Sequence, residues 1–221
     1  MNTAEEKMLR PSLRRGLYLV LTEPRDGYET LCRCAVKAGL PAVQLRYKGH
    51  NEREHLALAH ALRRITKDTG TLFIVNDRPD IALVSQADGV HLGQDDLAAA
   101  EARQLIGPAM LLGLSTHNLE QVAAANAAPV DYIGFGPLFA TNSKEQPDPV
   151  TGPDVLTAAL DISRHPVVAI GGLDLERIKQ LQVRPHNAAV IRAVSDAPDP
   201  LAAMREIHAA CLAMEAWSPP V

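Results

Sequence analysis

Leu72-Phe73-Ile74-Val75-Asn76-Asp77-Arg78-Pro79-Asp80 decides how the chain is read. Four apolar residues, two of them β-branched, run straight into an amide, a carboxylate and a guanidinium. Pro79 then opens a helical pattern, a position where its missing N–H costs nothing. The run is too continuous to be half exposed, so it predicts a strand covered on both faces. A second short strand follows at Gly89-Val90-His91-Leu92 and ends in Gly93-Gln94-Asp95-Asp96. Two acidic ends on neighbouring strands can converge on one ion. Mg²⁺ suits such a place, because it takes one or two carboxylates and completes its shell with phosphate oxygens and water.

Outward from this pair the same unit recurs. Strands are expected at 17–21, 42–45, 110–114, 131–135, 167–170 and 188–191. Helices are expected at 28–38, 51–68, 79–85, 97–106, 118–127 and 153–162, after Asp174, and from 200 to about 216. Gly39, Gly70 and Gly107 stop three of these helices, and Asn118 and Asp174 cap two others. Eight strand-then-helix units imply a parallel sheet, and about 250 residues is the usual size of a (β/α)₈ TIM barrel. The expectation is an α/β protein with a single barrel domain over 1–221 and a charged N-terminal tail at about 1–15. A doubly wound open sheet is the competing fold. It is disfavoured because no Gly-x-Gly-x-x-Gly follows the first strand.

The totals narrow the function. The chain has 221 residues, 47% hydrophobic and 22% charged, with a net charge of -4. That balance gives no overall attraction to nucleic acid or to an acidic membrane. Only 4% of residues are aromatic, so the core depends on Val, Leu, Ile and Ala. Three cysteines cannot form a complete disulfide framework, and free thiols fit a reducing compartment. Residues 1–15 lack the apolar segment of a signal peptide, and no run is long enough to span a membrane. A cytoplasmic protein is expected, and a homo-oligomer is compatible with the sequence.

The strand ends collect cations, hydroxyls and glycines: Gln44 to Lys48, Asn76 to Arg78, Ser115 to His117, Thr141 to Lys144, Gly171-Gly172 and Ile191-Arg192. Barrels of this class place their chemistry at that face, often with a phosphate held after the last two strands. The expected partners are small phosphorylated molecules, with acids of the Asn76-Asp77-Arg78 and Gln94-Asp95-Asp96 ends as metal ligands. Gly171-Gly172 would let the backbone approach an anion closely.

These strand ends resemble those of the thiamine phosphate synthase (thiamine-phosphate pyrophosphorylase) family. The resemblance runs from about Leu17 to Ile191. Its markers are Gln-Leu-Arg-x-Lys at 44–48, Asn-Asp-Arg at 76–78, Gly-Val-His-Leu-Gly-Gln-x-Asp at 89–96, Gly-x-Ser-x-His at 113–117, Gly-x-Gly-Pro-x-Phe-x-Thr-x-Ser-Lys at 134–144 and Ala-Ile-Gly-Gly at 169–172. The resemblance implies a transferase that joins a hydroxymethylpyrimidine diphosphate to a thiazole phosphate and releases pyrophosphate. It implies Mg²⁺ on Asp77 and Asp96, with Gln44, Arg46, Lys48 and Asn76 on the pyrimidine diphosphate. Ser115 and Lys144 would close on its phosphates, and Arg46, Lys48, Ser115 and Lys144 would be the catalytic group. Thr141, Ser143, Gly172 and the Ile191-Arg192 backbone would hold the thiazole phosphate. Leu45, Tyr47 and Asn142 are carried with their motifs as substrate-binding. Two departures stand out: Arg192 occupies a position where the family has Ser, and Lys144 leads into the Pro-rich stretch 145–149.

Plainer readings exist for most of these residues. Single aspartates are usually caps or solvated acids, Arg78 is equally an ion-pair partner, His91 reads as a core histidine satisfied by hydrogen bonds, and His117 as part of a helix entrance. His50, His55 and His60 lack the i, i+4 spacing of a zinc pair. Three other functions are set against the synthase. A thiazole tautomerase would have His at Pro137 and lack Asp77. A generic sugar-phosphate barrel would lack Gln44 to Lys48 together with both aspartates. A non-catalytic phosphate-binding barrel draws its support from Arg192.

Overall fold

The computed structural model describes residues 11–141 and 148–213. Eight parallel strands close into a barrel in sequence order. They are β1 (Gly16–Leu21), β2 (Ala42–Leu45), β3 (Leu72–Asn76), β4 (Gly89–Leu92), β5 (Leu111–Thr116), β6 (Tyr132–Phe135), β7 (Val167–Ala169) and β8 (Asn187–Val190). The helices between them are α1 (Tyr28–Lys37), α2 (Glu52–Thr66), α3 (Pro79–Ser85), α4 (Ala99–Ile106), α5 (Leu119–Ala125), α6 (Pro153–Ile162) and α7 (Leu175–Gln180). A short α8 (Arg192–Ser195) and a closing α9 (Pro200–Leu212) follow β8.

Strand side chains alternate between two layers, as the two-residue repeat of a strand demands. Leu17, Leu19, Leu21, Val43, Leu45, Phe73, Val75, Ile133 and Phe135 face the helices and build the larger core. Tyr18, Val20, Ala42, Ile74, Leu111, Tyr132, Val168 and Ala189 form a smaller cluster inside the barrel. The same alternation turns Gln44, Asn76, His91 and Ser115 inward. The expected caps on Asn118 and Asp174 are present, accepting from the backbone N–H groups of Gln121 and Arg177 at 2.8 Å each. The 192–195 turn of helix was not among the expected elements. Four residues carry too little periodicity to announce a helix.

An acidic device repeats at the strand starts. Asp88, just before β4, accepts from the Phe73 N–H (2.8 Å) and pairs with Arg63 (3.1 Å). Asp131, just before β6, accepts from the Leu112 N–H (2.8 Å) and pairs with Arg103 (2.6 Å). Each ties a preceding helix to two strands and holds their register. All three cysteines are free, and burial pushes the Cys32 thiol up to about 12 and the Cys211 thiol up to about 11. No helix among the described residues is long and apolar enough to cross a membrane.

At the opposite end of the barrel, His208 Nδ1 accepts from the Leu17 N–H (3.1 Å), and His186 Nε2 lies 2.7 Å from the Leu13 carbonyl. His208 packs so closely on Gly16 that a Cβ there would overlap the imidazole. Burial lowers both histidines from their ordinary value of 6.5. A base with a depressed folded pKa binds more protons when unfolded, so stability is full above 6.5 and is lost as pH falls below it. The denaturant midpoint should therefore drop between pH 7 and pH 5. In His208→Gln, whose amide oxygen can still accept from Leu17, the drop should be smaller. Equal slopes for the two proteins would remove His208 as a source of the pH dependence.

Candidate active site

The strands end in a cavity of about 480 Å³, within the usual range for a small-molecule site. One wall carries Gln44, Arg46, Asn76 and Ser115, from β2, β3 and β5. The other carries Thr141, Gly172, Ile191 and Arg192, from the segments after β6, β7 and β8. Eight of the expected substrate contacts thus share one space. Asn142, Ser143 and Lys144 lie outside the described residues.

The remaining site expectations fall elsewhere, for reasons of strand parity. Leu45 is fully buried among the helix-facing core residues, one position out of phase with Gln44 and Arg46. Only its backbone is placed to meet a ligand in the barrel mouth. Tyr47 also turns away, donating to Glu54 at 2.7 Å with its ring 5.0 Å from that of His55. Lys48 is half-buried and just outside the cavity lining. Arg78 is an ion-pair residue: its guanidinium grips Asp80 at 2.8 and 2.6 Å and reaches Glu52 at 3.1 Å. Both carboxylates hold the guanidinium above its ordinary value.

Asp77 and Asp96 do occupy neighbouring strand ends. β3 and β4 pair through Asn76 and His91, and the Asp77 N–H extends the ladder to the His91 carbonyl at 2.8 Å. Asp77 has φ 62 and is exposed. A left-handed residue is tolerated by Asp better than by most, and Glu23, Asp68 and Gln86 share that backbone. Asp96 folds back so that its carboxylate accepts from the Gly93 N–H at 2.6 Å. Both are hard oxygen donors, which fits Mg²⁺. Among the described residues no group of three or more His, Cys, Asp or Glu could hold a metal ion.

The glycine pair has a structural reason beside the expected one. Gly171 (φ 101) and Gly172 (φ 61) lie against the segment after β6, where a Cβ would come within 2.4 Å of Pro137 and 2.7 Å of the Ala140 carbonyl. Leu138 and Phe139 donate to Ile170 and Gly171 (2.9 and 3.1 Å), so the two loops pair beyond their strands. One approach that requires glycine here is made by the chain itself. Arg177 completes this wall by donating to the Gly172 carbonyl, with its guanidinium 4.8 Å above the Phe139 ring.

Arg177 escapes a sequence reading, and the plainer readings of His117 and His91 leave out their place in the cavity. Arg177 sits inside a helix and looks like a solvated charge. His117 lines the cavity and bonds the Gly136 carbonyl at 2.6 Å through Nδ1. His91 is satisfied by hydrogen bonds as expected, but it is half-buried and faces the cavity between Tyr132 (3.2 Å) and Ser115 (2.9 Å). Strand parity was the available signal for His91, since it is in phase with the inward Gly89.

The comparisons agree with this geometry. A family model described as thiamine monophosphate synthase matches residues 17–195. The thiamine-phosphate synthase of Vibrio campbellii is 43% identical over 190 residues, covering 85% of this chain and 93% of that protein. That of Synechococcus sp. (strain CC9605) is 40% identical over 90% of this chain, which spans 56% of that longer protein. Among solved structures, the thiamine phosphate pyrophosphorylase of Pyrococcus furiosus superposes with a TM-score of 0.82 at 30% identity, covering 95% of this chain and 98% of that one. Barrel, cavity and sequence therefore lead to one assignment: the chain belongs to the thiamine monophosphate synthase family.

Proposed function

We propose that the protein is a thiamine phosphate synthase, a transferase that condenses 4-amino-2-methyl-5-hydroxymethylpyrimidine diphosphate with thiazole phosphate to give thiamine phosphate and pyrophosphate. One observation carries the reading. Gln44, Arg46, Asn76 and Ser115 share a single cavity with Thr141, Gly172 and Arg192 on its opposite wall, so two phosphorylated molecules can lie side by side.

In this reading the pyrimidine diphosphate lies along β2, β3 and β5, with its diphosphate toward Arg46, Lys48 and Ser115. The bond between the pyrimidine methylene and the diphosphate oxygen breaks, and its electron pair leaves with pyrophosphate. Cations and hydroxyl donors fixed where that charge develops lower the barrier without needing to reorganise. Mg²⁺, held by Asp77 and Asp96 when bound, would neutralise the departing pyrophosphate. The thiazole nitrogen then supplies the electron pair for the new C–N bond. Thr141, Gly172 and the start of α8 hold its phosphate so that the nitrogen faces the methylene carbon. No protein nucleophile takes part. By the family resemblance Ser143 and Lys144 would bind the phosphates; both lie outside the described residues.

The test is an assay with both phosphorylated substrates, with and without Mg²⁺, that follows thiamine phosphate and pyrophosphate. Equal amounts of the two products, formed only with the metal, are expected. A protein that binds thiazole phosphate without turnover would be a non-catalytic barrel instead.

Asp77→Ala should lower turnover by at least roughly a hundredfold, the scale of losing one element of charge stabilisation. Its fold should survive, with a small loss of stability from the left-handed backbone at that position. Asp77→Asn should lose turnover similarly while tolerating that backbone. Unchanged Mg²⁺ dependence in either protein would take Asp77 out of the metal site.

Arg192→Ser, which restores the family's usual residue, separates the two readings of that position. A guanidinium that grips the acceptor's phosphate is lost, so KM for thiazole phosphate should rise about tenfold with kcat nearly constant. An improved KM would show that Arg192 crowds the site.

A further inference from the structure

Five polar side chains form a continuous hydrogen-bonded chain across the inside of the barrel. Gln44 Nε2 donates to Tyr18 Oη (3.0 Å), which lies 3.0 Å from Tyr132 Oη. Tyr132 Oη is 3.2 Å from His91 Nδ1, and His91 Nε2 is 2.9 Å from Ser115 Oγ. The strands involved are β2, β1, β6, β4 and β5, so two of the four contacts cross the interior and two join neighbouring strands. The barrel makes room for the central pair with glycine: a Cβ on Gly113 would come within 2.2 Å of the Tyr132 ring and 2.4 Å of His91 Nδ1.

Such a chain has a direction. Each phenol has one proton to give. Tyr18 accepts from Gln44, so its own proton is satisfied only by donation to Tyr132. Tyr132 must then donate onward to His91 Nδ1, because an unpaired hydroxyl proton at this depth is costly. Burial raises both phenols well above their ordinary value of 10.0, so neither gives up its proton and breaks the sequence. With Nδ1 accepting, the imidazole proton sits on Nε2 and points at Ser115 Oγ. The serine oxygen is then an acceptor toward the barrel, and its own O–H is left to donate into the cavity. The serine backbone is pinned as well, because Gln94 Nε2 donates to the Ser115 carbonyl at 2.6 Å. A Gln44 amide turned the other way would reverse every bond and turn Ser115 from donor to acceptor.

We propose that Tyr18, Tyr132 and His91 are positioning residues whose hydrogen-bond polarity presents the Ser115 hydroxyl as a donor to the substrate's departing phosphate oxygen. The role rests on the synthase reading above, whereas the polarity itself does not. A hydroxyl held as a donor needs no reorientation when negative charge develops, and that is where a fixed dipole is most effective. None of the three touches the reacting atoms in this account; each acts through the next.

The decisive measurement is the His91 tautomer in the unmodified protein, read from the two ring-nitrogen shifts in a long-range ¹H–¹⁵N NMR spectrum. His91→Gln serves to assign the signals. A neutral ring protonated on Nε2 is expected, and a ring protonated on Nδ1 or on both nitrogens would overturn the proposal. Tyr132→Phe removes the donor to Nδ1 while keeping the ring's volume. It should move His91 away from the pure Nε2–H form and lower kcat by roughly tenfold, with both KM values within about twofold. An unchanged kcat, or a loss carried by KM, would reject the catalytic part. His91→Gln, which restores an N–H donor toward Ser115, should retain more turnover than His91→Leu, and equal losses would count against the proposal. Absence of turnover in the unmodified protein would reject the synthase reading, and the NMR result would stand apart from it.

Discussion

A phenol shut inside a barrel must find a partner for its hydroxyl, and this barrel contains two. Tyr18 and Tyr132 are both almost fully buried, at the floor of the cavity. Their mutual hydrogen bond solves half the problem. The other half is solved by Gln44 on one side and His91 on the other. Satisfying two buried oxygens therefore recruits residues from several strands and brings the chain of contacts up to Ser115 at the cavity floor. Partial satisfaction of such a network is worse than an apolar core, so all its members are held together.

That network divides the barrel into two regions. On the far side, the interior is filled by Ala42, Ile74 and Leu111, an apolar plug that supplies rigidity. On the near side, polar side chains stand beside Val20, Val168 and Ala189, and the space opens into the cavity. The acidic ties at Asp88 and Asp131 act outside the barrel, where they fix the register of β3 to β6. Register matters here because a slip of one residue would exchange every inward residue for its outward neighbour. Gln44 would be replaced by Leu45, and His91 by Val90 or Leu92.

Charge is arranged with the same economy. A chain of net negative charge still places Arg46, Arg177 and Arg192 around one opening, with Asp148 and Asp174 in the same lining, and Arg78 pairs with Asp80 and Glu52 outside it. Low-dielectric walls make such a cluster more effective toward a phosphorylated ligand than the same charges would be on an open surface. The acids at the β3 and β4 ends stand beside this cluster, not within the cavity lining, which suits a role shared with substrate oxygens.

Much of this was legible in the residues themselves. Continuous apolar runs separated by helical stretches identify eight parallel strands, Asn118 and Asp174 announce their helices, and the motifs from Gln44 to Gly172 mark the functional face. These signals are local, since hydrophobic period, capping and turn chemistry each depend on a few consecutive residues. What only the tertiary structure decided involves residues far apart in the chain. Arg78 reaches Glu52 on another helix as well as its near neighbour Asp80. Gly171-Gly172 proved necessary because the segment after β6 presses against it. His91 became part of the site because Tyr132, Tyr18 and Gln44 meet it inside the barrel, with Tyr18 and Tyr132 separated by 114 positions. Contacts of that kind are set by barrel closure and strand register, which no short stretch of sequence carries.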